Sequence, residues 1–301
     1  MTASTERAPT QVVNAMSIDV EDYYHAHALE SFYTRDGWPA LERRVRRNTA
    51  VILDLLDEHE TRATFFTLGS VAIEAPDLVR EIVQRGHELA SHGLEHYRAS
   101  EQTPAAFLAD VTTAKRALED AAGVEVHGYR AASFSIGFRN WWAFDALEEA
   151  GYSYSSSLSA GHRDGAGLDV GSGPFRPGSG RLVEYPITTG RFFGRHVPTG
   201  GGFFRLLPRS FFHHSLRRLN ARGKPAIFYL HPWEFDPDQP RAAVGVAARF
   251  RHHVNIPGVP RKFCDILKAF RWAPMVEAFG EPADVKPGRR QDAAPLADAA
   301  E

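Results

Sequence analysis

Three acids fall within four positions at the end of an apolar run, Met16-Ser17-Ile18-Asp19-Val20-Glu21-Asp22. Carboxylates at the C-terminal end of a strand can bind a cation or take a proton from water, because parallel α/β folds collect their chemistry at that edge. The plainer reading is a turn whose acids cap the next segment. A second cluster is Ser91-His92-Gly93-Leu94-Glu95-His96. Two histidines four apart share one face of a helical turn, and neutral imidazoles at that spacing suit a divalent metal. The run is not HExxH, which disfavours a zincin protease. Gly128-Tyr129-Arg130-Ala131 puts an arginine at a strand end, and Tyr229-Leu230-His231-Pro232-Trp233-Glu234 ends a buried strand on a histidine. Taken singly these read equally as surface histidines, an ion pair worth about 0–1 kcal/mol and a satisfied core histidine. Taken together they all lie at ends of expected strands, and in a barrel those ends converge on one face. The result is a metal site of one carboxylate and two histidines with a coordination position left for water.

The elements that must position them follow from periodicity. Strands are expected at 12–20, 63–68, 87–91, 126–129, 182–186 and 226–230, and helices at 41–59, 76–85, 104–122, 141–150 and 209–222. Strands alternating with helices imply βα units and a parallel sheet. About seven such units favour a barrel over an open sheet. The 301 residues suit one large α/β domain or two small ones, and 43% hydrophobic with 24% charged residues is ordinary for a globular chain. A formal charge of −2 gives no bulk field to recruit nucleic acid or an anionic membrane. Cys264, the single cysteine, excludes an internal disulfide and a cysteine-based zinc site, and its apolar neighbours suggest a small buried hydrophobe. The N-terminus lacks the basic and apolar regions of a secretory signal, and no stretch of about 18 apolar residues is present, so the expectation is a cytoplasmic chain without a transmembrane segment. Residues 1–11 and 281–301 read as disordered tails and 161–180 as a glycine-rich surface loop. Thr199-Gly200-Gly201-Gly202-Phe203-Phe204 lacks the ending of a phosphate loop and reads as a flexible turn near the groove. The adjacent pairs His213/His214 and His252/His253 are assigned to solvated surface.

The order of motifs resembles the polysaccharide deacetylases of carbohydrate esterase family 4, the NodB-homology group, over roughly residues 12 to 270. The segments SIDVEDYYH, ATFF, ELASHGLEH, GYRAASFSI and LHPWEFD are most similar to the subgroup associated with exopolysaccharide gene clusters and exosortase-type sorting. The resemblance implies a distorted, incomplete (β/α)7-type barrel, with a deacetylase domain over 12–280 that includes a family-specific C-terminal extension. It implies metal-dependent hydrolysis of N-acetyl groups on the amino sugars of a polysaccharide or its precursor, with an acetylated glycan as partner. By matched position, Asp19 is the general base, Arg130 the arginine that holds it, His231 the general acid, and His92 with His96 the metal pair. The sequence departs from the family pattern twice. Two adjacent aspartates are usual, but here Val20 intervenes, so either Glu21 or Asp22 is the metal carboxylate; Glu21 is favoured because it shares a strand face with Asp19. Many relatives carry an aspartate that orients the catalytic histidine where this chain has Tyr154-Ser155-Ser156-Ser157, leaving Glu234 and Asp236 as nearby substitutes. Zn2+ is favoured by ligand type, with Co2+, Ni2+ or Fe2+ also suited. Trp233 is a candidate for stacking on a sugar ring, and Tyr23, with Tyr24 and His25, for lining the groove, although core packing is the commoner fate of aromatics. Two other readings stand beside this one: an allantoinase-like amide hydrolase acting on a small nitrogenous substrate, and a catalytically inactive carbohydrate-binding homologue. The polymer and the oligomeric state are not legible.

Overall fold

The run Val13–Val20 forms β1, in which every residue after the first is buried, as a central parallel strand covered on both faces requires. The structure, a computed structural model, describes residues 12–159 and 173–280. The expected tails at 1–11 and 281–301, and most of the expected 161–180 loop, lie outside these. Along the chain β1 is followed by α1 (Val45–Glu58), β2 (Thr64–Thr67), α2 (Gly69–Glu74), α3 (Pro76–Gln84), β3 (Glu88–Ser91) and α4 (Pro104–Ala122). Then come β4 (Gly128–Tyr129), α5 (Ala143–Glu149), β5 (Tyr154–Ser155) and β6 (Val183–Glu184). A hairpin of β7 (Thr189–Phe192) and β8 (Arg195–Pro198) leads into α6 (Gly201–Leu206), α7 (Arg209–Asn220) and β9 (Ile227–Leu230). The chain closes with α8 (Val246–His253), α9 (Val259–Ala269), β10 (Arg271–Ala273) and α10 (Met275–Phe279).

The sheet runs β9-β1-β2-β3-β4-β5-β6, all parallel, with β10 also paired to β1. β1 is therefore matched along its length by three strands: β10 at Val13–Ala15, β9 at Ala15–Ile18 and β2 at Ser17–Val20. Among the described residues β6 and β9 do not pair. Thr188 and Thr199 sit between them, the Thr188 hydroxyl accepting from the Ile227 amide and the Thr199 hydroxyl donating to the Ile227 carbonyl. The sheet is thus a curled, incompletely closed barrel wrapped by helices.

Strand parity divides the core. Met16, Ile18, Val20, Phe65, Phe228 and Leu230 face outward and pack with side chains of α1, α7 and α9. Ala15, Phe66, Ala90, Ile227 and Tyr229 face inward and join Tyr154, Tyr185 and Met275. A third cluster links Leu118 and Val111 of α4 to Phe144 and Leu147 of α5. The α4 boundaries follow from local chemistry: Thr103 accepts from the Ala106 amide, Pro104 opens the helix, and Gly123 ends it at φ 70°.

Several sequence expectations need correction. Helix α1 starts at Val45 rather than 41, because Asp22 accepts from the Arg44 and Val45 amides and fixes the start there. The six residues 199–204 are not a flexible turn. Thr199 and Gly200 follow β8, residues 201–204 open α6, and the Gly200 backbone lies so close to β9 that an added Cβ would sit 2.3 Å from the Tyr229 carbonyl oxygen. His252 is buried rather than solvated, at 1% exposure, while Cys264 is only half-buried.

The close approach at Gly200 makes a test of the packing on the inner wall. Gly200→Ala should destabilise the fold by about 2 kcal/mol or more, since backbone rather than a flexible side chain must move. A urea midpoint unchanged from that of the parent would show the contact to be soft.

Candidate active site

Inward parity puts Asp19 and Glu21 on one face of β1 and its extension, at 1% and 3% exposure, and turns Asp22 to the other side. Asp22 is committed to backbone, capping the Tyr23 turn and the start of α1. Burial raises its carboxyl to about 6 despite those three amides. It cannot serve the same cavity as Glu21, so the alternative carboxylate is set aside on geometry.

Glu21, His92 and His96 each bring one ligand atom within 4.8 Å of the others. The imidazole Nε2 of His96 lies 2.8 Å, and that of His92 3.7 Å, from Glu21 Oε2. The donor set fits a divalent cation. Glu21 Oε2 is buried and receives no aligned N–H donor, the mark of a group lacking its partner. His92 Nδ1 lies 2.8 Å from the Arg130 carbonyl oxygen, so Nδ1 donates and Nε2 presents its lone pair to the cavity. Burial alone would raise the Glu21 carboxyl, but His96, His92 and His231 outweigh it and hold it well below the ordinary range. Glu21 Oε1 accepts from the Trp233 indole at 3.0 Å, which fixes the carboxylate plane.

The His92–His96 segment is not the helical turn expected from its spacing. It is an irregular loop in which Gly93 has φ 81° and His96 φ 58°. A positive φ at histidine costs on the order of 1 kcal/mol, and Arg35 offsets it by donating to the Glu95 and His96 carbonyls, at 2.7 Å each. The Arg35 guanidinium also lies over the Tyr97 ring at 3.9 Å and the Trp38 ring at 4.6 Å. Sequence reasoning missed Arg35: it sits in an aperiodic segment 60 residues from the loop it holds.

Arg130 is fully buried. Its Nη1 donates to Asp19 Oδ1 at 2.6 Å and to the Ser17 hydroxyl, while Nε and Nη2 donate to the Ser156 carbonyl and hydroxyl. Within the serine run that replaces the expected aspartate, Ser156 therefore serves Arg130, while the Ser157 hydroxyl accepts from the Ala131 amide. His231 is held from a different place: its Nδ1 lies 2.7 Å from Glu234 Oε1, and Glu234 Oε2 accepts from Arg205 Nε at 2.8 Å. Asp236, the other substitute, instead faces Arg44, Arg47 and Asn48. Burial opposes charge on His231, but the Glu234 hydrogen bond and the fields of Glu21, Glu234 and Asp19 raise it to about 9. Its Nε2 stands 3.9 Å from Asp19 Oδ2 and 4.0 Å from Glu21 Oε1.

Neither aromatic proposed for sugar contact is available. Trp233 is 4% exposed and sandwiched between His231 and His252, with ring centroids at 5.1 and 4.6 Å. Tyr23, at 1%, packs edge-on against Tyr24 and Tyr33. His25 accepts the Asp22 amide at Nδ1 and is lowered to about 3 by burial. Trp233 and Tyr23 hold the walls of the site rather than line its opening.

Residues 34–155 match the family described as Polysaccharide deacetylase, and residues 155–280 match a Domain of unknown function (DUF3473). A chitooligosaccharide deacetylase of Bradyrhizobium sp. (strain ANU 289) is 33% identical over 141 residues, 45% of this chain and 57% of that protein. A peptidoglycan-N-acetylglucosamine deacetylase of Listeria monocytogenes is 33% identical over 75 residues, 25% of this chain and 16% of that protein. The matched stretches thus span less than two thirds of these relatives. Among solved structures, a Mycobacterium smegmatis protein assigned as a polysaccharide deacetylase superposes with a TM-score of 0.53 at 22% identity, covering 89% of this chain and 95% of that one. A peptidoglycan N-acetylglucosamine deacetylase superposes at 0.50 and 14% identity, covering 89% and 88%. These likenesses are of fold, and the distorted (β/α)7 barrel is common to them. The two family matches meet at Ser155, inside β5, so one sheet runs through both. The second contributes β6, β9 and β10 along with Arg205, His231 and Glu234.

Two measurements separate the roles around the cavity. Titrating the metal-free protein with Zn2+, Glu21→Gln and His92→Ala should abolish the tight site, whereas Asp22→Asn should bind as the parent does. Arg35→Ala leaves every ligand in place and should weaken binding about tenfold; unchanged affinity would mean the loop holds its shape unaided.

Proposed function

Residues 34–155 are a polysaccharide deacetylase domain, and from that premise we propose that this protein hydrolyses the N-acetyl group of an amino-sugar oligomer or polymer. The observation that carries the reading is the meeting of His231 Nε2 with Asp19 Oδ2 and Glu21 Oε1 at 3.9 and 4.0 Å, which gathers an acid, a base and a cation ligand around one small volume. Glu21, His92 and His96 would hold the ion, and a bound divalent cation supplies Lewis acidity toward the acetyl carbonyl and the attacking water. Zinc suits two imidazoles and a carboxylate; cobalt, nickel and iron belong in the same assay.

The chain's own groups divide the remaining work. Asp19 Oδ1 is tied to Arg130, which leaves Oδ2 facing His231 to take the proton from water as it adds to the carbonyl carbon. Arg130 positions that carboxylate through its 2.6 Å hydrogen bond. His231, protonated below about 9 and steered by Glu234, gives its Nε2 proton to the amide nitrogen as the C–N bond breaks. Acetate and a free amine are released, the base returns its proton to solvent, and His231 regains one from solvent. The likeness of the SIDVEDYYH and LHPWEFD segments supports an exopolysaccharide setting.

Acetate release from N-acetylglucosamine oligomers, measured beside ammonia release from allantoin-like ureides, tests the substrate class; ureide turnover without acetate would point to the allantoinase-like reading, and inertness of the metal-bound protein on every acetylated glycan to the inactive homologue. Asp19→Asn should keep its metal and lose about 10²–10⁴ in turnover. The alkaline limb of kcat/KM should follow His231, with activity falling as pH rises through its pKa. Glu234→Gln removes the anion that raises this pKa, so the limb should move about one unit or more to lower pH. A limb that stays in place would remove His231 from the role of acid.

A further inference from the structure

The 49 residues from 185 to 233 contain no Asp or Glu and eight Arg or Lys, in a chain whose formal charge is −2. The near-neutral total therefore conceals a local excess of positive charge. One of the eight, Arg205, is buried against Glu234; the others are exposed. The fold gathers them around two neighbouring elements. On α7, Arg209, His213, His214, Arg217 and Arg218 line an open groove whose far wall carries Asp265 of α9. Asp265 is already engaged by Arg209 and His213. Arg217 and Arg218 are exposed and have no acidic partner among the described residues.

Beside α7 lies the β7–β8 hairpin. Gly190 packs against Ser215 and Phe211, and the Phe192 ring meets Phe211 at 5.7 Å, so the hairpin is anchored along the helix. Its two-residue tip is Phe193-Gly194, with φ 46° and 79°. Such a tip normally takes Asn-Gly, because both positions need positive φ, and a bulky residue there is strained. Phe193 nonetheless occupies the first position and projects into solvent at 92% exposure, the highest of any large hydrophobic residue described. Arg191 and Arg195 flank it, both exposed.

We propose that the hairpin tip and the outer face of α7 form a peripheral docking surface for a membrane of anionic phospholipid. Phe193 enters the interfacial layer, while Arg191, Arg195, Arg209, Arg217 and Arg218 meet lipid phosphates. The pairing of an aromatic tip with flanking arginines favours lipid over a hydrated polyanion. Such a polymer would engage the arginines and leave Phe193 in water. This surface uses none of the cavity residues, so it stands or falls independently of the deacetylase reading.

The test is co-sedimentation of the full chain with vesicles of phosphatidylcholine alone and of phosphatidylcholine mixed with phosphatidylglycerol, at low and raised salt. Binding is expected to the mixed vesicles only and to weaken with salt. R217E/R218E should lower the partition coefficient by about 25-fold or more, each arginine being worth roughly fivefold near an anionic surface. Phe193→Asn relieves the positive-φ strain and so should fold at least as well as the parent, yet bind vesicles roughly fivefold or more weakly. In both variants the thermal midpoint should be no lower than the parent's and zinc titration should match it. Failure to bind the mixed vesicles would overturn the proposal. So would Phe193→Asn binding as the parent does while single-stranded DNA captures the protein equally well, which would assign the surface to a polyanion.

Discussion

Two carboxylates, Asp19 and Glu21, are buried side by side on the inward face of a single strand. Each costs several kcal/mol to desolvate, and their proximity adds repulsion. The surrounding structure is organised by that constraint. Arg130 neutralises Asp19 from across the barrel, held in turn by Ser17, Ser156 and the Phe66 ring at 4.0 Å. Glu21 has no such permanent cation. It has two imidazoles, an indole N–H and an oxygen without a donor. The asymmetry suits the two acids to different work in the proposed reaction: one is pinned by a fixed positive charge, as the proposed base requires, and the other is left short of charge in a shape that suits a divalent ion.

The two halves of the chain are interdependent. The strand carrying Asp19 pairs with β2 on the deacetylase side and with β9 from the region of unknown function. The second region brings His231 to the cavity and, with it, the Arg205–Glu234 pair that fixes its orientation and charge. Trp233 ties both together, its ring stacked on His231 and its N–H on Glu21. The region matched as a domain of unknown function is, in this fold, the far wall of the barrel and the source of His231, the acid of the proposed reaction.

Much of this was legible in the sequence because strand-end motifs depend on short-range order. The period of two in a buried strand favours Glu21 over Asp22 while leaving both open, and the βα alternation gives the parallel sheet. What could not be read depends on contacts between distant segments. Arg35 reaches the His96 loop across 61 positions, and Arg205 reaches Glu234 across 29. The i, i+4 spacing of His92 and His96 suggested a helix, yet an irregular loop brings the same rings together, because Gly93 and a strained His96 can turn the chain where a helix would not fit. Trp233 is a candidate for sugar contact because it follows a cavity histidine, and His252 is assigned to the surface because adjacent residues point apart; only the packing shows both rings stacked inside the wall. The near-zero net charge likewise hid a basic surface, since a sum over the chain carries no position.

The most direct measurement is anomalous diffraction at the zinc edge from crystals grown with Zn2+. A single strong peak is expected within about 2.0–2.2 Å of one oxygen of Glu21 and the Nε2 atoms of His92 and His96. A cation bound only elsewhere, such as against His213 and Asp265 on the helical surface, or coordinated by Asp22 instead of Glu21, would contradict the assignment of this cavity as the metal centre.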